Sequence, residues 1–96
     1  MKTFLVAVDQ DATTAQRDAF TNYLRQHPTA GFWHDISSTW VIVERRPGAL
    51  TAVSLRDKVM ELMPKVTHLV IEMNPITYAA YSPETGHKWL GDYLNP

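Results

Sequence analysis

The chain contains no cysteine, which excludes a disulfide framework, a thiolate nucleophile and a zinc site built on cysteine sulfur. No apolar run reaches membrane-spanning length, and the first residues lack the charged start and the cleavage site of a signal peptide. The net charge is only -1, whereas a dedicated nucleic-acid-binding protein commonly carries a strong basic excess. We therefore expect a cytoplasmic protein without membrane contact, in which charge does not favour nucleic acid as the partner.

What the chain does contain is the composition of one folded domain. Its 96 residues are 45% hydrophobic, which is ordinary for a globular protein and sufficient for a core without disulfides. No internal repeat, linker or low-complexity segment divides the chain. We predict a single domain over residues 1–96.

The richest stretch of aromatic and β-branched residues is Gly31–Glu44, broken only at Ser37 and Ser38. Such a stretch predicts two strands that fold back on each other in a hairpin. A two-residue loop at the serines would place Trp33 opposite Ile42. Serine lacks the easy positive φ of Asn-Gly, however, and a longer loop would shift every pair.

A strand and a helix precede the hairpin. Lys2–Val8 alternates large apolar residues on both of its faces, as interior strands do. Thr13 and Gln16 match a capping box for the first helix, which we expect to end at Pro28.

A second helix and a fourth strand follow the hairpin. The helix is expected to begin between Thr51 and Ser54, with Ser54 and Asp57 as its cap, and to end at Pro64. The strand is expected over residues 66–73.

This order of elements predicts an α+β protein with a ferredoxin-like βαββαβ sandwich. Two helices would cover one face of a four-stranded antiparallel sheet. Residues 74–96 would add a short strand over 76–81 and a short helix capped by Ser82 and Pro83, an extension that could serve as a dimer arm.

We assign one set of apolar residues to the core between the helices and the sheet, namely Leu5, Ala7, Phe20, Leu24, Leu55, Val59, Leu62, Leu69 and Ile71. A second set would form the opposite sheet face and a homodimer interface, namely Phe4, Val6, Val8, Val70, Ile76 and Tyr78. The alternative is that the C-terminal segment folds back over that opposite face within one chain.

Two carboxylates and four larger side chains are candidate site residues. Asp9 and Asp11 could bind a hard cation such as magnesium, or could simply end the strand and support the turn. Arg45 and Arg46 could contact a phosphate or an acidic partner. Trp33 and Trp40 could stack on bases, although such tryptophans more often fill a core or an interface.

Four segments give the chain a resemblance to a known group of proteins. They are VAVDQD at the end of the first strand, WHDISSTWVIV in the hairpin, LRDKV in the second helix and HLVIEM in the last strand. With the tryptophan-bearing C-terminal helix, they resemble the small SinR-like hypothetical proteins, which are related to the CRISPR-associated adaptation dimer nucleases and the VapD ribonuclease toxins. The resemblance covers nearly the whole chain.

The resemblance has three implications. In the adaptation nucleases, strand-end aspartates of two protomers face each other and are proposed to hold a divalent metal, and Asp9 is the matching residue here. The group commonly forms homodimers in which a C-terminal strand extends the partner's sheet. A metal-dependent endoribonuclease with magnesium as cofactor is thus one hypothesis, with Asp9 as candidate catalytic residue.

Two other hypotheses remain open. Near-neutral charge and the absence of a reaction motif favour a cofactor-free homodimeric protein that acts by protein contact, in a phage, toxin–antitoxin or defence-related role. The other is a small-ligand pocket between the C-terminal aromatic residues and the sheet.

Overall fold

The computed structural model describes residues 1–74 and 78–94, which form four strands and three helices. In chain order these are β1 (Lys2–Val8), α1 (Thr14–Arg25), β2 (Ala30–Ile36), β3 (Thr39–Glu44), α2 (Ala52–Leu62), β4 (His68–Met73) and α3 (Glu84–Leu94). The strands form one antiparallel sheet in the order β2-β3-β1-β4. The predicted ferredoxin-like α+β fold is confirmed.

Both central helices begin with reciprocal hydrogen bonds that close their first turn. Thr13 Oγ1 accepts the Gln16 amide at 3.1 Å, and Gln16 Oε1 accepts the Thr13 amide at 2.9 Å, as predicted. At α2 the prediction is wrong by three residues, because Thr51 is the cap and Ser54 occupies the third helical position. The Ser54 hydroxyl accepts the Thr51 amide at 2.9 Å, so a short serine serves where a glutamate or glutamine is usual.

The hairpin turns at Ser37 and Ser38 as predicted, since Ile36 lies opposite Thr39. The pairs beyond the turn differ from the prediction, because Trp33 lies opposite Val41 and not opposite Ile42. A β-bulge, with two residues of β2 facing one of β3, shifts the register between these points. Neither serine has a positive φ, so the strands do not leave the loop through a mirror-image turn.

Helices α1 and α2 cover one face of the sheet, which we name the inner face. Phe4 and Val6 of β1 are fully buried there, beside Ile42 of β3. This reverses the predicted faces of β1 and β4, because Leu69 and Ile71 are 57% and 44% exposed. Both faces of these strands carry large apolar residues, so alternation alone does not tell which face receives the helices.

The helical part of the predicted core is confirmed, with four of its residues buried beneath the inner face, namely Phe20, Leu24, Leu55 and Val59. Leu62 is partly buried against the same cluster. Leu5 and Ala7 were placed in this core wrongly. They lie half-buried on the opposite face of β1.

The reversal also corrects the predicted homodimer interface. Phe4, Val6 and Val8 are 7% exposed or less within a single chain, and Val70 is packed against the same inner cluster. None of these four can meet a partner without displacing α1 or α2. Of the remaining residues assigned to that interface, Tyr78 is 37% exposed and Ile76 lies outside the described residues.

The other side of the sheet, which we name the outer face, is covered in part by α3. Leu90 and Leu94 of α3 are buried against Trp33, Val41 and Val43 of β2 and β3. The C-terminal segment therefore folds back over its own sheet, as the alternative prediction held, mainly above these two strands, and Met73 of β4 packs against the same cluster. Residues 78–81 form no strand, and residues 76 and 77 of the predicted fifth strand lie outside the described residues.

Candidate functional site

On the outer face, the described residues leave Leu69 and Ile71 of β4 exposed, whereas Thr3 is buried and Met73 packs against the cluster that contains Leu90 and Leu94. Leu5 lies opposite Ile71, and Ala7 lies opposite Leu69, so four apolar side chains form one contiguous group that we name the outer patch. Leu5 and Ala7 are half-buried, whereas Leu69 and Ile71 project. Because the two exposed side chains lie next to two half-buried apolar ones, the patch is a continuous apolar surface, unlike single apolar residues scattered over a protein surface.

Asp9 follows β1 directly and is exposed at that end of the sheet. Its backbone amide donates to the Thr67 carbonyl at 2.8 Å, and its Oδ1 is 3.4 Å from the Asp11 amide, a long hydrogen bond across the turn. No group of three or more histidines, aspartates or glutamates within residues 1–74 and 78–94 could hold a metal ion. One protomer therefore does not fit a complete magnesium site.

The side chains assigned to nucleic-acid contact do not form a common surface. Trp40 is fully buried and Trp33 is 8% exposed, so neither offers a face on which a base could stack, and this assignment is wrong. The Trp40 indole donates to Thr21 Oγ1 at 3.1 Å inside the core. Arg45 and Arg46 are exposed, but the Arg45 guanidinium lies 5.2 Å from the centre of the Tyr93 ring and so is already engaged.

The neighbouring residues His34 and Asp35 point to opposite sides of the sheet, as expected for consecutive strand residues. The His34 ring stacks on Trp40 at 4.2 Å, and its Nδ1 donates to the Thr39 carbonyl at 2.8 Å. Asp35 accepts a hydrogen bond from the Ser82 hydroxyl on the outer side. They cannot act together as a base and its orienting carboxylate.

The bonds made by Asp35 attach the start of α3 to β2. Ser82 donates to Asp35 and accepts from the Trp33 indole at 3.3 Å. Gly86 lies so close to the Asp35 carboxylate that a Cβ at this position would overlap it. The sequence analysis assigned Ser82 as the cap of this helix, but its hydroxyl bonds instead to Asp35, which lies 47 positions earlier.

A cleft of about 340 Å³ lies along the free edge of β2. Its walls come from α1, both faces of β2 and α3, and its lining residues are Thr21, Arg25, Phe32, Trp33, His34, Asp35, Thr85, Gly86 and Trp89. Residues from both faces of one strand can share a cleft only where that strand has no neighbour. Trp89, one of the C-terminal aromatic residues, thus lines a cleft together with the sheet, as the pocket hypothesis expected, at the edge strand β2.

Glu44, the last residue of β3, is a buried carboxylate that no pattern in the sequence predicted. Glu44 is fully buried, and its Oε1 accepts the Thr29 hydroxyl at 2.6 Å and the Arg46 amide at 2.9 Å. His27 Nδ1 is 3.5 Å from Oε2. Burial by itself raises the pKa of Glu44, but these hydrogen bonds and the nearby histidine together lower the pKa below its ordinary value.

Within the described residues, no helix has both the length and the apolar character needed to cross a membrane. Comparisons of the chain with protein-family models, with curated proteins and with solved structures found no match.

Proposed function

We propose that the protein is a homodimer that acts by protein contact, and that two protomers pair through the outer patch. The observation that carries this proposal is the exposure of Leu69 and Ile71, at 57% and 44%, beside the half-buried Leu5 and Ala7. Apolar surface of this kind gains free energy when a second surface removes it from water, at roughly 25 cal/mol per Å².

The composition of the patch suits pairing with a second copy. A two-fold axis brings the same patch of both protomers together, so a charge near the axis would face its own copy. The outward residues of β1 and β4 include no charged residue, with threonine and methionine at Thr3 and Met73 beyond the apolar group. Self-association therefore meets no like-charge repulsion at its centre.

The expected affinity is modest. Stable interfaces bury about 1,200–2,000 Å² in total, which is more than a patch on two strands provides. The patch alone therefore gives an interface at the small, weak end of the size range. We expect a dimer that forms at micromolar concentrations and dissociates on dilution.

Light scattering over a concentration series tests the pairing. The mass should rise from 10.9 kDa towards twice that value. Leu69→Asp and Ile71→Asp should hold the mass at 10.9 kDa while leaving the circular dichroism spectrum unchanged. The matched control is Met60→Asp on α2, because Met60 is as exposed as Leu69, at 57%, but lies away from the sheet.

Two outcomes contradict this proposal. One is a constant mass of 10.9 kDa up to millimolar concentration. The other is loss of the dimer in Met60→Asp but not in Leu69→Asp, which would move the interface to α2. The phage, toxin–antitoxin and defence-related roles remain predictions, and co-purification from a host lysate with Leu69→Asp as control tests them.

A divalent-metal-dependent endoribonuclease is a second candidate function, favoured by the exposure of Asp9 at the end of β1. One protomer supplies too few ligands, so a metal would need Asp9 from both chains around a nearby two-fold axis. Magnesium that binds only the folded dimer would raise its melting temperature by mass action. Absence of an Asp9-dependent rise, together with unchanged labelled RNA in the presence of magnesium or manganese, would contradict this function.

A further inference from the structure

The edge of β2 is open to another strand. Among the residues that the structure describes, β2 pairs with β3 only, so alternate backbone amides and carbonyls along its other edge have no partner strand there. Natural edge strands are commonly blocked by lysine, proline or a covering segment. β2 contains neither lysine nor proline, and its bulge lies between Trp33 and Ile36, so the regular part of the edge that a strand could pair with is residues 30–33.

The two helical walls of the cleft, α1 and α3, lie on opposite faces of the sheet beside this edge. On the inner side, α1 contributes Thr21 and Arg25 beside Phe32. On the outer side, α3 contributes Thr85 and Trp89. A strand added to β2 would therefore place alternate side chains against α1 and against α3, since strand side chains alternate between faces.

Charge distinguishes the two walls. Arg25 is exposed, its guanidinium lies 5.9 Å from the centre of the Phe32 ring, and its Nη1 donates to Asn22 at 3.2 Å. No carboxylate of the described residues lies within ion-pair distance of Arg25. Asp35 also lines the cleft, and the hydrogen bond that it accepts from the Ser82 hydroxyl leaves its negative charge in place on the outer side. The positive charge is thus on the α1 side, whereas the outer side combines Asp35 with the aromatic ring of Trp89.

We propose that the edge of β2 binds an extended peptide by strand addition, with an acidic side chain directed to Arg25 and apolar side chains directed to Trp89. At about 340 Å³ the cleft is at the lower end of ligand-site volumes, which run from roughly 300 to 1,000 Å³, so it accepts a few side chains of such a peptide. Backbone hydrogen bonds to β2 would supply affinity, and the two walls would supply sequence preference.

This inference deepens the proposed function, since it names a class of partner for a protein that acts by contact. The peptide proposal and the dimer proposal can fail separately, because the cleft is at the β2 edge, whereas the outer patch is on β1 and β4 towards the opposite edge of the sheet. A monomeric Leu69→Asp variant should still bind the peptide. Loss of the dimer therefore leaves the peptide test intact.

The probe is a synthetic five-residue peptide of alternating valine and glutamate with blocked ends. Titration should shift the backbone amide resonances of β2 and the indole resonance of Trp89, and slow hydrogen exchange at the outward amides of β2. A second peptide with lysine in place of glutamate should bind more weakly. A third, with the same side chains but N-methylated amides, should not bind, because it cannot donate to the strand.

Charge reversal supplies the matched variants. Arg25→Glu should change the preference for glutamate over lysine peptide by about tenfold or more, and Arg25→Gln should abolish the preference. Arg56→Glu on α2 is the control, since Arg56 is also exposed but contacts only Asp57. Resonances outside β2 and α1 report whether each variant is folded.

Three results would overturn the inference. Equal binding of the N-methylated peptide would show that side chains alone occupy the cleft, as in a small-molecule site. An unchanged preference in Arg25→Glu would remove the role of the α1 wall. Absence of any shift along β2 with all three peptides would show that the edge does not accept a strand.

Discussion

The assignment of the two sheet faces can be tested by truncating one residue on each. Phe4 is fully buried on the inner face, opposite Ile42 of β3. Phenylalanine-to-alanine changes at such sites cost about 3–5 kcal/mol, because the lost transfer free energy is joined by the cavity left behind. Leu69 is 57% exposed, so Leu69→Ala loses less than half of the roughly 1.5–3 kcal/mol that full burial of leucine contributes. We expect a cost of about 1 kcal/mol or less.

Urea unfolding followed by tryptophan fluorescence measures both free energies of unfolding, since Trp40 is fully buried and its emission should change on exposure. The protein must be dilute enough to be monomeric by light scattering, because dimerisation through the outer patch would add to the cost at Leu69. Equal m-values show that the variants expose the same surface on unfolding. A larger loss for Leu69→Ala than for Phe4→Ala in the monomer would refute the assigned faces and the outer patch with them.

Two further predictions concern side chains that join distant parts of the chain. Since the pKa of Glu44 is lowered in the folded state from an ordinary value of 4.5, its carboxylate adds stability above about pH 4.5 that is lost as pH falls through the folded pKa. Urea midpoints should therefore fall more steeply on acidification in the wild type than in Glu44→Gln, and equal slopes would contradict the hydrogen-bonding role assigned to Glu44. Gly86→Ala should displace Asp35 from Ser82 and lower the free energy of unfolding by about 1 kcal/mol, the worth of one hydrogen bond. When Gly86→Ala and Asp35→Ala are combined, the loss should be smaller than the sum of the two single losses, because both changes disturb the same contact. Additive losses in a double-mutant cycle would show that the contact does not hold α3 to β2.

Features that depend on neighbouring residues could be read from the sequence. The cap of α1 is formed by Thr13 and Gln16, which are three positions apart, so their spacing contained the necessary information. The reversal at Ser37 and Ser38 was equally local. The bulge of β2 was not predictable. Ser37 and Ser38 do not have the positive φ of the usual two-residue hairpin turns, and residue types alone do not show where the strands then shift register.

The candidate site was beyond sequence reasoning for a different reason. Arg25, Phe32 and Trp89 belong to three separate elements, and only the docking of α3 brings them to one edge. The three tryptophans have different roles: Trp40 fills the inner core, Trp33 lies beneath α3, and Trp89 lines the cleft. Composition could not separate these roles, since each depends on which face of a strand or helix is covered.

The position of α3 determines which surfaces are available for association. It covers the outer face above β2 and β3, and thereby forms one wall of the cleft while leaving the outer patch on β1 and β4 open. The two surfaces lie at opposite edges of the sheet, because β2 and β4 are its terminal strands. Pairing of protomers through the outer patch therefore need not block either β2 edge. It follows that a dimer should bind one extended peptide per protomer, with the same affinity as the monomeric Leu69→Asp variant. A stoichiometry of one peptide per dimer would mean that the two surfaces overlap, and would contradict the placement of at least one of them.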